Sequence, residues 1–299
     1  RASTMREAPL PEPLAAELEA ALGKRPLRAR RLSGGSIAEA RLVELDGGPT
    51  IFVKSLATLS PGAFELEARG LAWLGEAGCV SVPEVLACSS AGSAGPGFLA
   101  LELVETGGPP DALAEERLGR GLAELHRYGA PSFGLDHDNL LATLPQDNRP
   151  REGWAGFYRA RRLEPLAARA RAKGLCGPRI ERRLEALYAR LDELVGPAEP
   201  PARLHGDLWG GNWLVGRGSV PYLVDPAVYG GHREIDLAMM QLFGGFGPRV
   251  FAAYDEVYPR APGHRERVAL HQLYPILAHV VMFGGGYLAQ LDEALSEYV

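Results

Sequence analysis

Asp207, Asn212 and Asp225 are the residues whose types and spacing could carry chemistry. They sit in Leu204-His205-Gly206-Asp207-Leu208-Trp209-Gly210-Gly211-Asn212 and in Tyr222-Leu223-Val224-Asp225-Pro226, with Asp225 thirteen residues after Asn212. Phosphoryl transfer from ATP uses such a set: one carboxylate takes or orients the proton of the accepting hydroxyl, and an amide and a second carboxylate hold Mg²⁺. The segments Asn212 to Val215 and Tyr222 to Asp225 read as two strands around Gly216-Arg217-Gly218-Ser219, a hairpin with a loop longer than the tightest type. An antiparallel pair centred between Gly218 and Ser219 sets Asn212 opposite Asp225 at its open end, beside Asp207. A short His-Gly-Asp recurs by chance; the longer string with its downstream aspartate is far more specific.

That chemistry needs a strand lysine for the α- and β-phosphates, a helix glutamate to hold it, and a glycine-rich loop over the phosphates. Thr50-Ile51-Phe52-Val53-Lys54 is a β-rich run ending in one of only three lysines, among 32 basic residues. A compact ammonium suits phosphate oxygens in a narrow cleft better than a planar guanidinium. Phe64 to Leu74 has apolar residues at helical spacing after the breaker Pro61-Gly62. Of its two glutamates, Glu67 precedes the Ala-x-x-Leu stretch typical of this helix in kinase-like enzymes and is assigned to Lys54. Glu65 reads as a solvated first-turn carboxylate. Gly34, Gly35 and Ser36 form the phosphate-loop candidate, since glycines let backbone N–H groups approach phosphate oxygens. Phe98 to Val104 reads as the last strand of a small lobe, with backbone near Glu102 and Val104 at the adenine edge. The Gly/Pro stretch after Glu105 marks the lobe boundary.

With 299 residues the chain is long enough for two lobes: an N-terminal lobe over 1–104 and a C-terminal lobe over 105–299. Formal net charge is −5, which gives no nucleic-acid footprint. Arg28 to Arg31 and Arg159 to Arg162 read as solvated faces. Cys79, Cys88 and Cys176 show no metal-ligand spacing and fit a reducing cytosol. No stretch reads as a secretory signal or a transmembrane span. Arg1 to Thr4, ahead of Met5, are expected to be an expression remnant. Helices are expected over Glu12 to Leu22, Ala112 to Tyr128, Trp154 to Lys173, Arg179 to Leu194, Glu234 to Phe243, Val250 to Val257 and Glu266 to Tyr287. The fold class is thus α+β, a bilobal protein-kinase-like fold with a small β-rich lobe and a large helical one.

Gly34-Gly35-Ser36-Ile37, Val53-Lys54, His205-Gly206-Asp207-Leu208-Trp209-x-Gly211-Asn212, Asp225-Pro226-Ala227, Tyr229-Gly230-Gly231-His232-x-Glu234 and Leu242-Phe243-Gly244-Gly245-Phe246 resemble the fructosamine (ketosamine) kinase family. That family is related to aminoglycoside and choline kinases, and the resemblance runs from about Arg28 to Tyr287. It implies ATP and Mg²⁺ as cofactors and phosphorylation of the 3-hydroxyl of a fructosamine or ribulosamine, in deglycation. By the same resemblance Asp207 is the catalytic carboxylate, Asn212 and Asp225 hold Mg²⁺, Lys54 grips the α- and β-phosphates, and Glu67 orients Lys54. Pro226, where protein kinases have phenylalanine, argues against a flipping regulatory switch because proline fixes φ. Trp209, His232, Glu234 and His279 are acceptor-site candidates; His205 and Asp236 are expected to support the catalytic loop. Trp154, Phe157 and Tyr158 could line the acceptor site, although such a stripe is more often core. The expected partner is a small-molecule or protein-bound glycated amine, with no nucleic acid and no membrane, for a monomer in the cytoplasm. The alternatives are an aminoglycoside- or choline-type kinase and a nucleotide-binding pseudokinase.

Overall fold

A computed structural model describes residues 6–7, 9–32, 38–56, 62–89 and 97–299. The phosphate-loop candidates Gly34, Gly35 and Ser36 lie outside the described residues. The chain divides into two compact units, one comprising Arg1–Pro110 with Leu214–Pro226, the other Asp111–Trp213 with Ala227–Val299.

The first unit contains β1 (Arg6–Glu7), α1 (Glu12–Leu22), β2 (Pro26–Arg31), β3 (Glu39–Leu45), β4 (Thr50–Leu56), α2 (Ala63–Glu76), β5 (Val85–Ser89) and β6 (Gly97–Glu102). The strands form one antiparallel sheet in the order β1-β2-β3-β4-β6-β5. Side chains alternate across a strand, and both faces here are covered. Ile51, Val53, Phe98 and Ala100 pack with Leu14 and Leu18 of α1, whereas Phe52, Leu56, Leu99 and Leu101 pack with Phe64 and Leu71 of α2. Lys54, between Val53 and Ser55, therefore shares the α2 face, and its register opposite Leu99 fixes that choice. A one-residue slip would turn it toward α1.

The second unit holds α3 (Ala112–Tyr128), β7 (Asn139–Leu141), β8 (Leu144–Gln146), α4 (Trp154–Phe157), α5 (Glu164–Ala172), α6 (Pro178–Leu194) and β9 (Ala202–Leu204). Strand β10 (Trp213–Gly216) then runs into the first unit and pairs with β11 (Val220–Leu223). The chain continues with β12 (Tyr229–Gly231), α7 (Glu234–Phe243), α8 (Pro248–Val257), α9 (Val268–Phe283) and α10 (Leu288–Ser296). The core of this unit is built round α9, whose Leu270, Leu273, Leu277 and Val280 are fully buried. Pro275 interrupts the α9 ladder because it lacks an N–H. Beside it the Tyr158 hydroxyl donates to Leu270 O at 2.7 Å and accepts from Tyr274 N at 3.3 Å.

Three sequence expectations change. The boundary falls at Pro110, not after Val104, and the β10–β11 hairpin joins the first unit, because Gly107 N donates to Val215 O at 2.8 Å. The helix expected over Trp154 to Lys173 is broken into α4, a π turn over Tyr158–Leu163, and α5. Arg162, read as part of a solvated face, is fully buried on that turn. Its guanidinium lies 3.8 Å over the Tyr229 ring and donates to Asn148 Oδ1 at 2.6 Å and Asp147 O at 2.9 Å. Trp154, Phe157 and Tyr158 belong to the core, as such a stripe more often does, and their rings stack on one another.

Candidate active site

In the first unit Lys54 Nζ donates to Glu67 Oε1 at 2.8 Å and also pairs with Asp225 Oδ1. Glu67 reaches it because it lies three residues after the core residue Phe64 on α2. Glu65 is not the residue that meets Lys54. Burial works against the Lys54 ammonium, but the Glu67 and Asp225 carboxylates outweigh it and raise its pKa. Burial pushes Glu67 upward, against the pull of Lys54. Asp225 adopts φ 55°, a left-handed backbone that costs a non-glycine residue energy and is further constrained by Pro226. Such strain persists where surroundings hold it, often at functional sites. Glu102 ends β6 opposite Ile51, its N–H donating to Glu84 O at 2.9 Å, and Val104 follows half-buried.

In the second unit β9 pairs with β12 in the register Leu204–Tyr229 and delivers the loop 205–212. Asp236, fully buried in the first turn of α7, accepts from His205 N at 2.8 Å and Gly206 N at 2.9 Å. His126 at the end of α3 joins this brace: Nε2 lies 3.2 Å from Asp236 Oδ2 and Nδ1 2.8 Å from the Tyr254 hydroxyl. A carboxylate can only accept, so Nε2 carries a proton toward Asp236, and Nδ1 pairs with the Tyr254 hydroxyl. Gly206 has φ 81°, and a Cβ there would come 2.1 Å from Ala227 O. His205 Nδ1 accepts from Asp207 N at 3.2 Å, which makes it a strut inside the loop. Asn212 Nδ2 donates to Asp207 O at 2.8 Å and to Asp207 Oδ2 at 3.0 Å, orienting that carboxylate.

The spacing of Leu-Trp-x-Gly-Asn also has a steric origin. The Trp209 ring, 43% exposed, lies over Gly211, where a Cβ would come 2.2 Å from it. Gly210 N donates to Gly244 O at 3.1 Å, and a Cβ on Gly210 would sit 2.7 Å from Gly245 Cα. Trp213 Nε1 donates to Gly245 O at 3.3 Å and its ring stacks on Phe246 at 5.8 Å. The glycine pair after α7 thus docks on this loop through backbone.

His232 and Glu234 lie elsewhere in the second unit's interior. Both are buried, with His271. Arg267 donates to both Glu234 oxygens, at 2.9 and 2.6 Å. Trp154 Nε1 donates to His271 Nε2 at 3.3 Å, and His271 Nδ1 lies 3.4 Å from Glu234 Oε2. His271 Nε2 is therefore an acceptor from the indole, and its Nδ1 faces Glu234. His232 Nδ1 accepts from Glu234 N at 3.3 Å, which leaves the proton on Nε2. Three ligand-type side chains lie within 4.8 Å of one another here, with both oxygens of Glu234 already taken by Arg267. His279, half-buried near the end of α9, stacks on Phe243 at 4.6 Å.

Asp207, Asn212, Lys54 and Glu67 were legible as motif residues, and Asp236 as a brace. His126 and Tyr254 were not, because single residues 110 and 18 positions from Asp236 leave no local pattern. The nearest sequence signal was the Leu-His ending of α3.

Among the described residues no helix is long and apolar enough to cross a membrane. The sequence profile of the fructosamine kinase family matches residues 12–299. A probable ketoamine kinase of Synechocystis is 36% identical over 273 residues, 90% of this chain and 89% of its own. The chloroplastic protein-ribulosamine 3-kinase of Arabidopsis thaliana is 33% identical over 278 residues, 90% of this chain and 81% of its own. The crystal structure of a fructosamine-3-kinase candidate from Thermobifida fusca superposes at a TM-score of 0.87 with 40% identity, covering 95% of this chain and 98% of that one. The aminoglycoside phosphotransferase APH(4)-Ia, 13% identical at a TM-score of 0.63 over 96% and 99% of the two chains, shares the fold. The chain belongs to the fructosamine kinase family and has its protein-kinase-like fold.

Proposed function

We propose that this chain is an ATP- and Mg²⁺-dependent kinase that phosphorylates the 3-hydroxyl of a ketosamine, a fructosamine or a ribulosamine, and so promotes deglycation. The observation that carries the reading is the Asp207 carboxylate, oriented by Asn212 and mounted on a loop braced by Asp236, in a member of this family. Asp207 would accept the proton of the attacking hydroxyl as its oxygen bonds to the γ-phosphorus and the bridge to the β-phosphate breaks, releasing ADP. Lys54, held by Glu67, would grip the α- and β-phosphates. Gly34, Gly35 and Ser36 would cover them, and backbone near Glu102 and Val104 would meet the adenine. Asn212 and Asp225 offer an amide and a carboxylate oxygen, hard donors suited to Mg²⁺, and fit that ion. When bound, the cation would neutralise charge between the phosphates. Catalysis would then rest on alignment and preorganised charge. Trp209 would face the acceptor. Three free cysteines fit a cytoplasmic enzyme.

The test is a panel of fructosamines, ribulosamines, aminoglycosides and choline with labelled ATP, the phosphate position being read by NMR. We expect 3-phosphorylated ketosamine as the product, and Asp207→Asn to lower turnover by about 10³-fold or more while ATP still shifts the melting temperature. Transfer to an aminoglycoside or choline alone would overturn the substrate, ATP binding without transfer to anything would favour a pseudokinase, and full turnover in the variant would overturn Asp207.

A further inference from the structure

Trp209 and Phe283 are among the few large apolar side chains left exposed among the described residues, Phe283 at 64%. Phe283 ends α9, where Gly284 (φ 87°) leaves the helix with its N–H still bonded to Val280 O at 2.9 Å. The next turn, Gly285–Tyr287, brings Tyr287 back to 6.2 Å from the Phe283 ring and 5.0 Å from His279. His279 lies 5.3 Å from Phe283 and 4.6 Å from Phe243. Four rings thus form one continuous shelf. It is joined to the catalytic loop, since Phe243 is followed by Gly244, whose carbonyl holds Gly210, the neighbour of Trp209. None of these side chains is a carboxylate or a guanidinium. Burial holds the His279 pKa below its ordinary value, with Nδ1 bonded to Pro275 O at 2.8 Å, so the ring is neutral at physiological pH.

We propose that the shelf of Phe243, His279, Phe283 and Tyr287 takes the amine-derived half of the ketosamine, and that this half is an uncharged apolar or aromatic group. The inference rests on the ketosamine reading and narrows it to a substrate class. The sugar carries the reacting hydroxyl and belongs beside Asp207 and Trp209. The substituent on its amine nitrogen extends beyond it, and the shelf, tied to the Trp209 loop through the Gly210–Gly244 bond, offers ring faces, which favour apolar and aromatic groups. A polycationic amine would meet no carboxylate among these four side chains to replace its lost hydration.

The test uses ribulosamines of methylamine, hexylamine, benzylamine and diaminohexane with the full chain. We expect kcat/KM for the benzyl and hexyl adducts to exceed that of the methyl adduct about tenfold or more, the range one apolar pocket supplies, and the diaminohexane adduct to fall below the hexyl one. In Phe283→Ala, an exposed position whose fold is checked by circular dichroism, the benzyl-to-methyl ratio should shrink to within about threefold. Equal kcat/KM across the adducts, or an unchanged ratio in the variant, would overturn the shelf and leave the ketosamine reading intact. Turnover of no ketosamine would overturn both.

Discussion

Lys54 carries two carboxylates at once, Glu67 and Asp225, and this decides what each can do. A buried ammonium is costly unless paired, and here the pairing more than compensates the burial. Glu67 holds the amine from the α2 side; Asp225 approaches from the chain segment after β11. In a nucleotide complex Asp225 would be needed for the cation, so Glu67 would remain the fixed partner of Lys54. Glu67→Gln keeps an acceptor for the lysine but removes the charge. Charge-assisted bonds are roughly twice as strong as neutral ones, so the variant should bind ATP about tenfold more weakly by calorimetry, with the KM for the acceptor changed by less than about threefold. An unchanged ATP affinity would show that Asp225 alone positions the lysine.

At the scale of elements, the catalytic loop is located by backbone. Asp236 holds its first two N–H groups, and Gly210 packs against Gly244 and Gly245 so closely that no Cβ fits. Gly210→Ala should force the loop away from the end of α7 while leaving Lys54, Glu67 and Asp225 untouched. Misplacement of about 1 Å can cost on the order of 10²-fold in rate. We expect turnover to fall by that order, with the ATP-induced melting shift preserved; turnover within about twofold of the parent would show that the α7 contact is dispensable. This distinction also explains what the sequence disclosed. His205 to Asn212 is one contiguous string, and Lys54 and Glu67 sit on regular elements, where alternation and helical spacing fix the face. Most helices were legible for the same reason, α7 to its limits at Glu234 and Phe243. The π turn and the buried Arg162 were not, because an arginine at that spacing reads as surface until its ring neighbours, Tyr229 and Tyr274, arrive from far along the chain. The hairpin's membership of the first unit was hidden likewise, being set by a bond from Gly107 to Val215.

At the scale of the molecule, the interior network of the second unit should govern acid stability. His232 stacks on His271 at 5.1 Å, with Arg233 and Arg267 near it and Glu199 and Glu234 opposing them. Burial chiefly, then His271 and the two arginines, lowers its pKa from 6.5 to about 3. For Glu234 burial acts upward, but the bonds from His271 and Arg267 prevail and hold it at about 2, against an ordinary 4.5. The signs agree. Between pH 6.5 and 3 the unfolded chain binds a proton at His232 that the folded one refuses, and between 4.5 and 2 it binds one at Glu234. Stability is therefore full above about pH 6.5 and falls as pH drops, at up to about 1.4 kcal/mol per pH unit for each such proton. The first loss belongs to His232 and the steeper one, below 4.5, to both. His232→Gln keeps a polar side chain but cannot take the proton. Urea unfolding midpoints measured from pH 7.5 to 4.5 should decline in the parent and decline less steeply in the variant, whatever the variant's stability at neutral pH. Parallel curves would mean that His232 is protonated in the folded chain, so that the Glu234–Arg267 pair, not burial, sets its charge.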